Sequence, residues 1–422
     1  MKIEEKYKLH KRSWVGSRMV GMIFVCFFCA VLFAQVIYPM IWSAGVDAMG
    51  TTDREIEVEK RDDALDMEMI LRQQAESANL HIINDALVRH YDSETEQIVP
   101  AFRATDILDD AMTGNAMLDT GNIFQKAIRF LLREFLNNMR VVMQLIVIAV
   151  ICAVLRNLQS AFAREGTGEI AYYAGYVLMA TLLMAGFKMA ADVGVKAIMD
   201  MSDFMHVSTP ILITLMTASG NVSSGTVFSP ILMGMVQGSV FLVRFFFVPA
   251  LFFIMTMGLM GHISTKIDLT GIAAFAKKIC AWTMTIFFTI FVGGVVIQAA
   301  FSAALDGLGG RTMRTATSSM VPVIGRYLAE AADLVMGCSL MIRNAAGTSV
   351  LIGILVIMLV PLLKILALIG GYRLAAAIVQ VLGEKQLAGC IGEAAGTLTY
   401  LFALAAFVSL MFFITITVMI SL

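Results

Sequence analysis

The sequence predicts an all-α, polytopic membrane protein, and three observations carry that expectation. Of the 422 residues, 59% are hydrophobic and only 15% charged, whereas soluble domains run near half apolar and about a quarter charged. Mean hydropathy is +0.80. From residue 141 onward, uncharged stretches recur at about the 20-residue length that crosses a bilayer as a helix. A helix satisfies every backbone N–H and C=O within one segment, which lipid demands. About seven or more transmembrane helices are expected, with re-entrant or amphipathic helices and a small helical exported region.

Residues 1–45 read as a signal sequence or a signal anchor. Lys2, Lys6, Lys8, Lys11, Arg12 and Arg18 precede an uncharged apolar run over 19–42, a charged n-region followed by an h-region. Ala34 offers a small-residue cleavage site, yet the run is long enough to span, so both alternatives stand. Either way, the positive-inside rule keeps the basic end cytoplasmic and exports the segment C-terminal to the apolar run.

Residues 46–140 read as an acidic, exported, helical region. The net charge of the chain is only −1, which gives nucleic acid no bulk attraction, but this region holds 19 of the 32 acidic residues against 10 of the 31 basic ones. Leu80, Ile83 and Leu87, and then Ile107, Leu108 and Met112, fall at helical spacing and predict amphipathic helices. Partial disorder before residue 79 is the alternative. No cysteine lies here to form a disulfide.

Residues 141–422 read as the polytopic domain. Expected spans cover 141–159, 170–190, 226–243, 245–262, 280–301, 349–369 and 398–422. The stretch 205–219, with Pro210, is short for a crossing and reads as re-entrant; 192–201 and 269–278 read as amphipathic connectors. Stretches 320–342 and 374–395 have spanning length but carry ionisable residues. Charge orientation places Arg156, Arg164, Lys277, Lys278, Lys364, Arg373 and Lys385 on the cytoplasmic side. Arg311, Arg314 and Arg326 come out on the exported side and do not fit, so that either this topology breaks there or the segment folds back into protein.

Residues able to do covalent chemistry are sparse. Cys26 and Cys29 form a C-x-x-C inside the first apolar run with no histidine or second pair beside it, which reads as apolar filler. The five histidines make no H-x-x-x-H pair. No G-x-x-x-x-G-K-[ST] loop occurs, so any ATP would be hydrolysed by another chain. No enzyme activity, metal or cofactor is expected.

Ionisable residues inside apolar stretches are the stronger signal, because a charge at the bilayer centre costs roughly 2.5–3.5 kcal/mol and is therefore paired or wet. Glu330 and Asp333 share a helix face with Arg326. These three either line a pore, cavity or subunit contact, or form the solvated face of an interfacial helix. Glu384, Lys385 and Glu393 carry the same two alternatives. Lys364 reads as snorkelling to the cytoplasmic headgroups. Gly234 and Gly238 form a G-x-x-x-G that reads as a helix-packing face, and Gly370–Gly371 reads as packing or as a hinge.

The segments SSMVPVIGRYLAEAADLVMGCSLMIRNAAGTSVLIG and VPLLKILALIGGYRLAAAIVQVLGEKQLAGCIGEAAGTL, placed behind a signal-like segment and a charged exported region, resemble stage III sporulation protein AE of endospore-forming bacteria. The likeness runs from residue 106 to 422 and is most specific over 320–398. It implies a protein of the mother-cell membrane around the engulfed forespore. Its implied partners are the co-expressed sporulation proteins AA to AH and the forespore membrane protein Q, in a channel or secretion-like complex. That complex keeps the forespore intact and competent for late gene expression. AA resembles a secretion ATPase and AG a ring-forming protein, so this chain is the expected conduit or export gate, a homo-oligomer in the lipid bilayer. The family has no catalytic motif to transfer. Two other classes remain open: a membrane scaffold that moves nothing, and a self-contained secondary transporter with inverted repeats.

Overall fold

Every described element is helical. The computed structural model describes residues 80–90, 93–99, 103, 106–107, 120–162, 167–219, 222–262, 270–320 and 324–421, with side chains outside, chiefly, 156–169, 221–229 and 302–336. The expected signal or anchor therefore lies outside the described residues. In chain order the helices are α1 (Leu80–His90), α2 (Ser93–Glu96), α3 (Thr120–Phe162), α4 (Thr167–Ala218), α5 (Val222–Leu242), a π-helical turn (Val243–Phe247), α6 (Val248–Met260), α7 (Thr270–Met320), α8 (Ile324–Val381) and α9 (Lys385–Ser421).

Six stretches among the described residues are long and apolar enough to cross a membrane: Ile123–Leu155, Tyr172–Ala218, Met233–Met260, Thr270–Gln298, Gly337–Val381 and Lys385–Ile420. The count falls below the expected seven because separate expected spans merge. Stretches 226–243 and 245–262 form one line through α5, the π turn and α6. Arg244, which reads as a boundary in sequence, sits exposed within that line. The π turn has a local cause. Pro249 has no N–H to give the ladder and its ring crowds the carbonyl four residues back. The Val248 N–H instead reaches the Val243 carbonyl, five residues back, which is the π register.

The same merging makes the helices far longer than a bilayer is thick. The expected re-entrant stretch 205–219 is the continuation of α4, a single 52-residue helix that carries Pro210 inside it. Stretches 320–342, 349–369 and the start of 374–395 become α8, 58 residues long and roughly 87 Å at 1.5 Å per residue. Hydropathy windows register about 20 residues at a time and cannot tell a helix that stops from one that runs on.

Helices α8 and α9 form a hairpin at the centre. In their most apolar windows 61% of residues are buried, against 22–33% in the other four spans. Helices α3, α4, α6 and α7 wrap this hairpin, and α1 and α2 lie on α4 and α8. Its turn depends on Gly383, whose φ of 89° suits a residue without Cβ. Glycines elsewhere set the approach of neighbours. Gly186 of α4 lies under the Tyr372 hydroxyl, Gly353 of α8 admits Leu87 and Phe204, and Gly370 and Gly371 sit against Phe135 and Val142 of α3. The last pair is packed within a continuous helix rather than acting as a break.

A β-carbon at Gly371 would come 2.9 Å from Val142 Cγ2, closer than packed carbons tolerate. Gly371→Leu is therefore expected to cost about 1–3 kcal/mol by overpacking, outweighing the roughly 1 kcal/mol that removing a helical glycine returns. The check is thermal unfolding in detergent; an unchanged midpoint would mean that α3 and α8 do not meet there.

Candidate functional site

The first two turns of α9 gather the polar groups of the membrane half. Glu384 and Lys385 open the helix directly after the Gly383 turn, and the Ala388 N–H donates to the Glu384 carbonyl at 3.0 Å. Glu384 is buried while Lys385 is exposed. A carboxylate at a helix N-terminus is favoured by the dipole and by the unpaired N–H groups there. Two turns on, Glu393 meets Lys277 of α7, whose Nζ lies 2.6 Å from Oε1. Both side chains are largely shielded, 14% exposed for Lys277 and 24% for Glu393.

Small residues make that pairing sterically possible. A β-carbon at Gly258 of α6 would lie 2.5 Å from Glu393 Cγ, and one at Gly396 would lie 3.5 Å from Lys277 Nζ. The carboxylate thus runs against bare backbone. The C-terminal carbonyls of α6, which have no partner within their own helix, are met from outside. Tyr176 of α4 donates its hydroxyl to the Leu259 carbonyl at 2.5 Å and lies 3.2 Å from Cys390 Sγ. His262 Nδ1 lies 2.8 Å from the Gly258 carbonyl, with its ring against Gly389. Tyr172 donates to Gln386 Oε1 at 3.0 Å. One polar seam therefore joins α4, α6, α7 and α9 at the end of the bundle where their connections lie.

Three other charged contacts sit away from that end. Lys364 forms an ion pair with Glu94 of α2 at 2.5 Å, so it does not snorkel to the cytoplasmic headgroups. It lies 17 residues before the end of α8, and its partner comes from the acidic region, a pairing that no local spacing reveals. Nearby, Arg133 of α3 donates to Gln97 Oε1 at 2.9 Å. Arg343 of α8 is buried to 4% exposure. It donates to the Ile420 carbonyl at 3.1 Å and to Ser219 Oγ at 3.4 Å, and its Nε has no partner among the described residues. Sequence reasoning missed Arg343 and Lys277, although a lone arginine in MIRNAAG beside a long apolar run is a visible signal.

Of the residues expected at the site, Glu384, Lys385 and Glu393 are brought to the seam. The side chains of Arg326, Glu330 and Asp333 lie outside the described residues; their backbone belongs to α8. Gly234 and Gly238 are exposed, and among the described residues a β-carbon at either would meet nothing within 4 Å. Among the described residues no three His, Cys, Asp or Glu side chains converge as a metal site.

Breaking a shielded ion pair leaves one charge uncompensated, at a cost of roughly 3–5 kcal/mol, whereas replacing both partners with apolar groups is near neutral. Lys277→Met and Glu393→Gln are each expected to lower the thermal midpoint in detergent. The double variant Lys277→Met/Glu393→Met should recover most of the loss. Strictly additive losses would show that the two residues are not coupled.

Comparison with known proteins places this geometry in a family. The model of the family described as stage III sporulation protein AE matches residues 102–422. Stage III sporulation protein AE of Bacillus subtilis (strain 168) is 30% identical over 292 residues, covering 69% of this chain and 73% of that protein. No solved structure matches. The family match takes in the whole polar seam and all six apolar helices, and the chain belongs to the stage III sporulation protein AE family.

Proposed function

We propose that this chain is the membrane-embedded conduit or export-gate component of the sporulation complex that links mother cell and forespore, seated in the mother-cell membrane around the forespore. Membership in the family assigns it to sporulation, and six apolar helices make it a membrane protein. The finer reading rests on the Lys277–Glu393 pair. Ionisable residues inside membrane helices are costly and mark pathways, relays or contacts where their charge is used. Here the pair ties α7 to the central hairpin. Glycines on α6 and α9 surround it, and such small residues let helices sit close enough to slide or part. An opening that separated α7 from α9 would expose one acid and one base to the path and would seal again by re-pairing them.

In this reading the chain conducts and does not catalyse. An ATPase partner supplies energy, and the sporulation proteins AA to AH and protein Q complete the assembly. The scaffold alternative gives the pair only a stabilising role. The charge-exchanged variant Lys277→Glu/Glu393→Lys separates the two, since it keeps the pair but reverses its field. As a conduit, the exchanged protein should reach the membrane and assemble at normal levels yet form few heat-resistant spores and express late forespore genes weakly. Normal sporulation in that strain would remove the pair from any conduction role and leave the scaffold reading in front.

A further inference from the structure

The acidic region ends on a segment of the opposite sign. Over 120–140, the first half of α3, Lys126, Arg129, Arg133 and Arg140 stand against one acid, Glu134. All four cations are exposed, whereas Glu134 is half-buried and accepts a hydrogen bond from the Asn137 amide at 3.4 Å. Among the described residues no acid pairs with Lys126, Arg129 or Arg140, and Arg133 donates to the neutral Gln97 amide oxygen. The same side of the helix is also apolar. Phe124, Leu132 and Leu136 are each more than half exposed, and Ile128 is exposed as well. Ile128, Leu132 and Leu136 recur every four residues and form one stripe. Arg129 and Arg133 follow one place on and form the stripe beside it. Gln125 and Asn137 are the other exposed residues of 123–140, and Phe130 is buried on the opposite side.

Neither lipid nor water suits such a face. Cations turned into hydrocarbon cost roughly 2.5–3.5 kcal/mol each, and there are four of them here. Water would leave the stripe from Phe124 to Leu136 uncovered, roughly 18 Å at 1.5 Å per residue, and a contiguous apolar patch of that kind marks an interaction site. A layer of anionic headgroups suits a basic amphipathic helix that lies in its plane. Helix α3, however, runs without a break from Thr120 to Phe162, and the uncharged apolar run 141–155 continues the same rod. A rod whose apolar half crosses a bilayer holds its other half along the same axis, out of the headgroup plane. A protein surface can meet both stripes at once.

We propose that the exposed face of α3 over 124–140 docks an acidic amphipathic helix of another protein. Apolar residues of that helix cover Ile128, Leu132 and Leu136, the way a helix is held through anchors one turn apart. Its carboxylates meet Arg129 and Arg133, whose guanidinium forks each take two carboxylate oxygens. Arginine beside large apolar side chains is the composition that carries binding at protein interfaces. The sign of the charge selects the partner, because four cations against the one acid Glu134 repel a basic helix and attract an acidic one. The chain's own α2 shows the chemistry in miniature. Glu94 and Glu96 stand in its single turn, Glu94 pairs with Lys364, and Gln97, the next residue, meets Arg133. That contact reaches one arginine of the face, and the partner helix continues it along α3. The inference holds whether the chain conducts or only assembles others.

The test uses the full-length chain in nanodiscs of zwitterionic phosphatidylcholine. The probe is a synthetic helix with leucine at i, i+3, i+4 and i+7 and glutamate on its flanks. Its binding should weaken at least about tenfold in Lys126→Glu/Arg129→Glu and again in Leu132→Ser/Leu136→Ser, with the thermal midpoint unchanged because all four side chains are exposed. A peptide of equal charge with serine for leucine should bind at least about tenfold more weakly than the probe. In sporulating cells, a benzophenone side chain in place of Leu132 should cross-link to a separate protein, within a segment that is acidic and amphipathic by sequence. Equal binding of the serine peptide, a probe affinity that survives both variants, a cross-link to lipid or within the same chain, or no cross-link at all would each overturn the proposal.

Discussion

The burial of the α8–α9 hairpin is the constraint on which the rest of the structure depends. In lipid no hydrophobic force drives helix against helix, so association rests on close packing and on polar groups that find partners. The hairpin meets both demands. Glycines at its contacts remove the side chains that would hold neighbours apart: Gly371 for Val142, Gly353 for Phe204 and Gly347 for Ile420. Its buried hydroxyls turn back on their own helices, Ser349 to the Ala345 carbonyl, Thr397 to that of Glu393 and Thr415 to that of Met411. A hydroxyl bonded to the preceding turn makes no claim on a neighbour. The hairpin can therefore be buried on all sides, and α3, α4, α6 and α7 take their positions from it.

Charge is handled by a different rule at each level of the bundle. At the seam, Lys277 and Glu393 neutralise one another across two helices. Farther along α8, Lys364 uses Glu94, an acid brought by a short helix outside the spans. Higher still, Arg343 has neither: a main-chain carbonyl near the end of α9 and one serine hydroxyl face its guanidinium. A helix C-terminus carries partial negative charge from its unpaired carbonyls, so Arg343 ties the far end of the hairpin together as Gly383 ties the near end. The two ends of α8 and α9 are thus fixed by unlike means, a backbone turn and a side-chain clasp.

Helix type and membrane character were legible in the sequence because both follow from composition and run length, which are local. So was the neighbourhood of Glu384, Lys385 and Glu393, since a carboxylate in an apolar helix is anomalous wherever it sits. The partners were not legible. Lys277 lies 116 residues from Glu393, and its own surroundings, AAFAKKIC, read as the ordinary basic edge of a span. Lys364 next to Pro361 looks like a snorkelling residue until Glu94 is placed beside it. Gly234 and Gly370 carry the same local signal of a small residue in an apolar run, yet Gly370 faces α3 and Gly234 faces outward. Which glycine packs inside the protomer is decided by tertiary arrangement, and the sequence pattern does not encode it.

The lengths of the helices bear on how such a protein could join two compartments. If each of α4, α7 and α8 ended at the membrane surface, about 20 residues would suffice, but they run to 52, 51 and 58. Measured from the polar seam, the surplus lies toward the opposite end of the bundle. At the seam end stand Lys277, Lys278, Arg373 and Lys385, which the sequence reading expects on the cytoplasmic side. On that expectation the surplus extends away from the cytoplasm, in the direction in which the acidic region is expected to be exported. It is also where α1 and α2 of that region rest on α4 and α8. A body built by prolonging membrane helices inherits their rigidity and register, so a displacement at the Lys277–Glu393 seam is carried along α9 without a flexible linker to absorb it. A scaffold would need only the surface of such a body, whereas a gate would need its stiffness.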